Sequence, residues 1–167
     1  MRARSKSPTL WQRNAMATLI VLAALTTLWF TVLRADWSAY RATTVPAHIV
    51  PKGQAATVGG VTWRIGAVRY LDRAGSTELP SGTVLSVVTV ERTGGGSGPP
   101  CSAILTDGTR RWHAEQLGSY SLRAPEAMST DCTTPGPVRF TFLVPAGAVP
   151  TAVDVTEAGR ITVRLQR

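Results

Sequence analysis

Residues 98–115, GPPCSAILTDGTRRWHAE, bring together side-chain types that could do chemistry. The stretch contains a thiol, a carboxylate, two guanidinium groups, an indole and an imidazole, from Cys101, Asp107, Arg110, Arg111, Trp112 and His113. A thiolate activated by an imidazole is a common nucleophile in catalysis. The alternative is a β-hairpin whose polar side chains only face water.

The hairpin is the better interpretation of this stretch. The dipeptide Asp107-Gly108 is typical of a type I′ turn between two antiparallel strands. If Trp112 points into a core, the two-residue period of a strand turns His113 outward, away from a buried thiol. We therefore expect no catalytic residue, and the chain is not predicted to be an enzyme.

Other motifs that would indicate a chemical function are missing from the sequence. No C-x-x-C, H-x-x-x-H or D-x-D-x-D-G pattern provides metal-ligand spacing, so we expect no metal site. The run GGGSG at 94–98 is a low-complexity loop, and no glycine-rich segment leads from a strand into a helix. We expect no cofactor, and no arginine-aromatic run indicates a nucleic-acid partner.

The two cysteines have a simpler role available. Cys101 and Cys132 are the only cysteines, and an even count in an extracytoplasmic domain favours a disulfide. Such a bond would tie the start of the hairpin to the long irregular segment 116–137. We predict a structural disulfide, with a free reactive thiol as the less favoured alternative.

An apolar segment near the N-terminus predicts a membrane span. The twenty residues between Arg13 and Arg34 contain no charge, which is the length that an α-helix needs to cross a bilayer. The preceding tail carries four basic residues and no acid, a pattern typical of the cytoplasmic side. Trp11, Trp37 and Tyr40 are candidate interfacial anchors. No small-x-small cleavage site follows, so we expect an uncleaved anchor.

These features predict four regions. Residues 1–13 form a cytoplasmic basic tail, 14–33 the transmembrane helix in contact with the lipid bilayer, 34–56 a helix extension and stalk, and 57–167 an extracytoplasmic domain. In this last region, short β-branched runs separated by Gly, Pro and Asp are typical of an all-β fold. We count about seven strands, the number of an immunoglobulin-like β-sandwich.

Alternation within three segments predicts which residues face the core of that domain. In 61–70 the inward set is Val61, Trp63, Ile65 and Ala67; in 138–145 it is Phe140, Phe142 and Val144; and in 151–167 it is Val153, Val155, Ile161, Val163 and Leu165. Segment 83–92 is almost continuously β-branched and predicts a central strand.

The order of these features resembles a known group of proteins. The chain has one N-terminal span, then GGVTWRI, LPSGTVLSVVTVER, a cysteine leading into LTDGTRRW, a second cysteine, and FTFLVP. This is similar to membrane-anchored or secreted proteins of high-GC Gram-positive bacteria that carry a telokin-like, immunoglobulin-type domain. The resemblance covers about residues 55–167 and implies an extracytoplasmic β-sandwich with a disulfide and no catalytic residues to carry over.

The sequence leaves three hypotheses for function. The first is a membrane-anchored module with a binding or structural role at the cell envelope. Its candidate contact surfaces are the GGGSGPP loop at 94–100 and the segment 116–131, with Tyr120, Arg123 and Met128. Its partner would be a protein or an anionic envelope polymer. The second is an accessory subunit of a membrane complex that assembles through a small-residue face of its helix, Ala23, Ala24, Thr26 and Thr27. The third and least favoured is an envelope enzyme using Cys101 or His113.

Overall fold

The computed structural model describes residues 9–115, 120, 122, 125 and 128–167. Its N-terminal unit is helical from Leu10 to Thr44: α1 (Leu10–Leu28), a π-helical segment (Trp29–Leu33) and α2 (Arg34–Thr44). No residue of this helix is buried, and it is long and apolar enough to cross a membrane. The helix ends just before Val45-Pro46, as expected because proline disfavours helical conformation in the residue before it.

The rest of the described chain is mostly β, with eleven strands rather than about seven. The strands are β1 (His48–Val50), β2 (Ala55–Val58), β3 (Val61–Leu71), β4 (Arg73–Ala74), β5 (Thr77–Glu78), β6 (Thr83–Thr93), β7 (Cys101–Thr106), β8 (Arg111–His113), β9 (Val138–Pro145), β10 (Ala152–Glu157) and β11 (Arg160–Gln166). The count exceeds the expectation mainly because five of these strands are only two to four residues long.

Two sheets make up most of this region. One has the order β1-β11-β10-β7-β8, and the other has the order β2-β3-β6-β9. β1 runs parallel to β11, and the remaining pairs in both sheets are antiparallel. β4 and β5 form a separate small hairpin between β3 and β6.

The inner faces of the two sheets share one hydrophobic core. Its fully buried members alternate along the strands, as the sequence predicted for Phe140, Phe142 and Val144 of β9 and for Val153, Val155, Val163 and Leu165 of the closing hairpin. Ile161 is buried too, but it lies outside this core because the β10–β11 register shifts between Val155 and Thr156. β6 lies between β3 and β9, so the prediction of a central strand is confirmed. Burial of these large side chains is the main favourable contribution to folding.

A second, smaller cluster covers part of the opposite face of β6. Leu85 and Val87 are buried there together with Ala74 of β4, and Tyr120 and Leu122 pack against them. β6 is therefore apolar on both faces, which explains why its sequence lacks the alternation of a half-exposed strand.

A β-bulge corrects the predicted inward set of β3. The register with β6 shifts between Ile65 and Val68, so Val68 packs against the core while Ala67 is exposed. Strict alternation predicts Ala67 inward and Val68 outward. That prediction is wrong because the bulge adds one residue to β3 and so reverses which residues face the core after it. A Cβ on Gly66 would lie 3.0 Å from the Thr89 carbonyl oxygen, so a larger residue would be crowded where the strands approach.

The predicted stalk contributes to the sheets. Val50 of β1 is 1% exposed and belongs to the main core, and β2 begins at Ala55. The β-rich unit therefore begins before residue 57, and it includes the last residues of α2, from Ala42 onward. The pairing of β1 with β11 joins residues more than a hundred positions apart, which local sequence patterns do not reveal.

The turn between β7 and β8 is a hairpin, but not of type I′. Thr106 pairs with Arg111, which leaves a four-residue loop, and Gly108 alone in that loop has positive φ. The Asp107 carboxylate instead accepts hydrogen bonds from the backbone N–H groups of Thr109 and Arg110. Both central φ values are positive in the β10–β11 turn, at Ala158 (48°) and Gly159 (78°).

Candidate functional site

A groove opens beside the bulge of β3, with a volume of about 860 Å³. Its floor is formed by Ile65, Val68 and Val84, which also pack against the rim of the main core. The turn after β1 and the β9–β10 connection contribute its other walls. Ligand pockets in proteins typically have volumes of 300–1,000 Å³ and mostly apolar linings, so the groove is suited to binding a small molecule.

Two cations line this groove. Lys52 lies in the exposed turn after β1, and Arg167 follows β11. One guanidinium nitrogen of Arg167 donates to the Tyr70 hydroxyl at 2.8 Å and to the Pro150 carbonyl oxygen at 3.3 Å. The same guanidinium lies 5.9 Å from the centroid of the Tyr70 ring, a distance that suits a cation–π interaction.

The groove can bind but offers little for acid–base catalysis. Its lining residues include no Asp, Glu, His or Cys. The titratable side chains there are those of Lys52, Tyr70 and Arg167. The arrangement therefore favours a ligand that combines apolar surface with negative charge.

A buried hydroxyl lies on the same strand as the groove floor. Ser86 of β6 pairs with Tyr70 of β3, is fully buried, and its Oγ has no hydrogen-bond partner among the described residues. Tyr70 itself is 45% exposed and lines the groove. An unsatisfied buried hydroxyl costs stability, because it gives up its hydrogen bonds to water.

The structure separates the chemically promising residues of 98–115. Cys101 is buried and bonded to Cys132, with 5.2 Å between their Cα atoms. Trp112 packs against the main core and His113 is exposed, as the hairpin interpretation predicted. The arrangement brings no imidazole to a free thiol in the described part of the chain.

The Asp107 carboxylate stabilises its own turn. Hydrogen bonds from the backbone N–H groups of Arg110 and Thr109 hold its pKa below the ordinary value, and the Arg110 side chain adds to that shift. The Arg110 guanidinium also lies 5.6 Å from the Trp112 ring centroid. These contacts account for the polar residues of the turn without a catalytic role.

A cluster of three charged side chains lies on the five-stranded sheet, on the face away from the core. Its members are Arg111, Asp154 and Arg164. Asp154 is fully buried and accepts two hydrogen bonds from Arg164, at 2.6 and 2.8 Å. Arg111 approaches the same carboxylate more loosely, at 3.5 Å. The hydrogen bonds that Arg164 donates to Asp154 raise the pKa of Arg164 above its usual value, against the opposing effect of burial. Sequence reasoning missed this cluster because its members come from three strands.

Arg92 is a buried cation held by backbone groups. It is 4% exposed, lies 5.8 Å from the Trp63 ring centroid, and donates to the carbonyl oxygens of Thr134 at 2.8 Å and Gly96 at 3.2 Å. Within the described residues, its Nε has no hydrogen-bond partner. Arg92 thus joins the glycine-rich loop to the segment that follows Cys132.

The candidate contact loop is described only in part. Tyr120 packs against the small cluster on β6, and Met128 is half-buried, with its backbone N–H donating to Pro125. Arg123 lies outside the described residues. The role of this loop as a contact surface stays a prediction.

Searches against known proteins returned no match: no protein-family model, curated protein or solved structure is similar to this chain.

Proposed function

We propose that the chain is a membrane-anchored binding module of the cell envelope, with an immunoglobulin-like β-sandwich outside the cytoplasmic membrane. The groove beside β3 is the observation that carries the binding role, because it combines an apolar floor with two cations. The apolar helix Leu10–Thr44 supports membrane anchoring. The Cys101–Cys132 disulfide supports an oxidising location outside the cytoplasm.

Thiol labelling of intact cells tests the location. A membrane-impermeant maleimide is expected to label the chain only after reduction, because both cysteines are disulfide-bonded. Labelling without reduction would reveal a free exposed thiol and would favour the hypothesis of an envelope enzyme. Labelling that requires permeabilised cells would place the β-rich unit in the cytoplasm and contradict the proposal.

A matched pair of variants makes the labelling interpretable. The double variant Cys101→Ser/Cys132→Ser should not label under any condition. Adding Ser5→Cys to that variant puts one thiol in the basic tail before the span, where only permeabilised cells should label. Tail labelling in intact cells would mean that the orientation is reversed.

A second candidate function is assembly with another membrane protein through the helix. One side of the helix carries a concave, mostly apolar surface. It is lined by Trp29, Leu33, Asp36, Trp37 and Tyr40. The π-helical segment Trp29–Leu33 begins this surface, and π-helical turns are frequent at functional sites. The hydroxyls of Thr26 and Thr27 donate to carbonyl oxygens of their own helix, so the small-residue face offers packing rather than free polar groups.

Replacing residues 14–33 with an unrelated apolar helix separates the two functions. A pure anchor should tolerate the exchange, whereas a specific helix interface should lose any partner that co-purifies with the native chain. Trp37→Ala/Tyr40→Ala is the narrower variant, with Leu19→Ala/Ile20→Ala on the same helix as its control. Equal loss of the partner in both pairs would contradict the concave surface as the interface.

A further inference from the structure

Two cationic side chains, Lys52 and Arg167, and no acidic side chain line the groove. No ion pair to Lys52 or Arg167 forms within the described part of the chain. Arg167 is held in position by Tyr70 and Pro150, while its Nε and second terminal nitrogen remain without a described partner. A fixed guanidinium with free donors is suited to binding phosphate.

The rest of the groove lining is mostly apolar. Its floor of Ile65, Val68 and Val84 packs against the core, and Val149 on its wall is 77% exposed. Burial of a ligand's methylene groups on such a surface is favourable. The ligand that satisfies both parts of the groove has a hydrocarbon chain and an anionic head.

We propose that the groove binds one anionic lipid of the membrane, with its phosphate at the cations Lys52 and Arg167 and its hydrocarbon chain on the floor. This inference rests on the proposed binding role and names the class of its ligand.

Octyl phosphate is the probe. The full chain in nanodiscs of zwitterionic phosphatidylcholine is titrated with octyl phosphate by calorimetry, and the titration of empty nanodiscs is subtracted. We expect saturable binding at one site per chain that weakens as salt rises, since salt screens exposed charges. Octanol and inorganic phosphate, which each carry one half of the ligand, should bind at least tenfold more weakly.

Two variants test the position of the site. Lys52→Ala should weaken binding about threefold at low salt, the size expected of an exposed charge pair. Arg69→Ala removes an exposed arginine that lies outside the groove and should leave binding unchanged. Val149→Asp places an acid on the groove wall and should abolish binding. Unchanged thermal unfolding in each variant would show that the fold is intact.

Several results would overturn the proposal. They are the absence of saturable binding, equal affinity for octanol, equal affinity for inorganic phosphate, and equal effects of Lys52→Ala and Arg69→Ala. Displacement of octyl phosphate by a triglutamate peptide, but not by phosphatidylglycerol, would assign the groove to an acidic protein instead. Thiol labelling decides membrane orientation independently, so either experiment can fail while the other succeeds.

Discussion

The buried carboxylate of Asp154 is a single charge on a sheet face that contributes to the stability of the fold. Its carboxylate is fully buried, and Arg164 binds both of its oxygens. We expect Asp154→Ala to lower the free energy of unfolding by about 3 kcal/mol, because two guanidinium groups lose their shared partner. Urea unfolding of the detergent-solubilised chain measures the change.

Arg111 supplies the control for that measurement. Its contact with Asp154 is 3.5 Å long and its side chain is 35% exposed, so Arg111→Ala should cost less than about 1 kcal/mol. A loss as large as that of Asp154→Ala would mean that the looser arginine, rather than Arg164, carries the stabilisation.

Asp131 gives the fold a predictable response to acid. Hydrogen bonds from the Thr133 hydroxyl, the Thr133 backbone N–H and the Ser129 hydroxyl hold the pKa of Asp131 below 3.8. A folded-state pKa below the unfolded value stabilises the fold above about pH 4, and this contribution is lost as the pH falls through the folded value.

The acid response is checked with unfolding curves from pH 6 to pH 2. The wild-type chain should lose more stability over that range than Asp131→Asn, which cannot ionise. Thr133→Val removes the donor of the 2.6 Å bond and should give an intermediate slope. Parallel curves for the wild type and Asp131→Asn would contradict this assignment.

The β10–β11 turn is an element whose sequence suits its conformation poorly. Its two central residues are Ala158 and Gly159, both with positive φ. Alanine in that region is strained, whereas asparagine and glycine tolerate it. We expect Ala158→Asn to raise the free energy of unfolding by about 0.5–1 kcal/mol, measured by urea unfolding, and Ala158→Val to lower it.

Elements with a strong local pattern could be predicted from the sequence, and those that depend on distant partners could not. Alternation placed Phe140 and Phe142 in the core, and the cysteine count predicted the disulfide. β1 could not be predicted because it is only three residues long. The bulge after Ile65 could not be predicted because the residues there are also common in regular strands. The groove was missed because Lys52, Val149 and Arg167 belong to segments far apart in sequence.

At the scale of the whole molecule, the disulfide joins the first residue of β7 to the segment that precedes β9. It closes a loop between residues 31 positions apart that contains the partly described segment 116–127. The chain-entropy model predicts a contribution of about 3–4 kcal/mol for a loop of this length. Cys101→Ala/Cys132→Ala should lose that amount in urea unfolding, and treating the wild-type chain with reductant should produce a similar loss. A double variant as stable as the wild type would contradict this role.

The parallel pairing of β1 with β11 has a mechanical consequence. The helix ends at Thr44, three residues before β1, whereas Arg167 follows the last residue of β11. Because the two strands point the same way, a pull between the helix and Arg167 acts in opposite directions along them. Their ladder is then loaded in shear, with its hydrogen bonds sharing the force rather than opening one after another. The β1–β11 ladder would therefore resist tension applied between the membrane helix and Arg167.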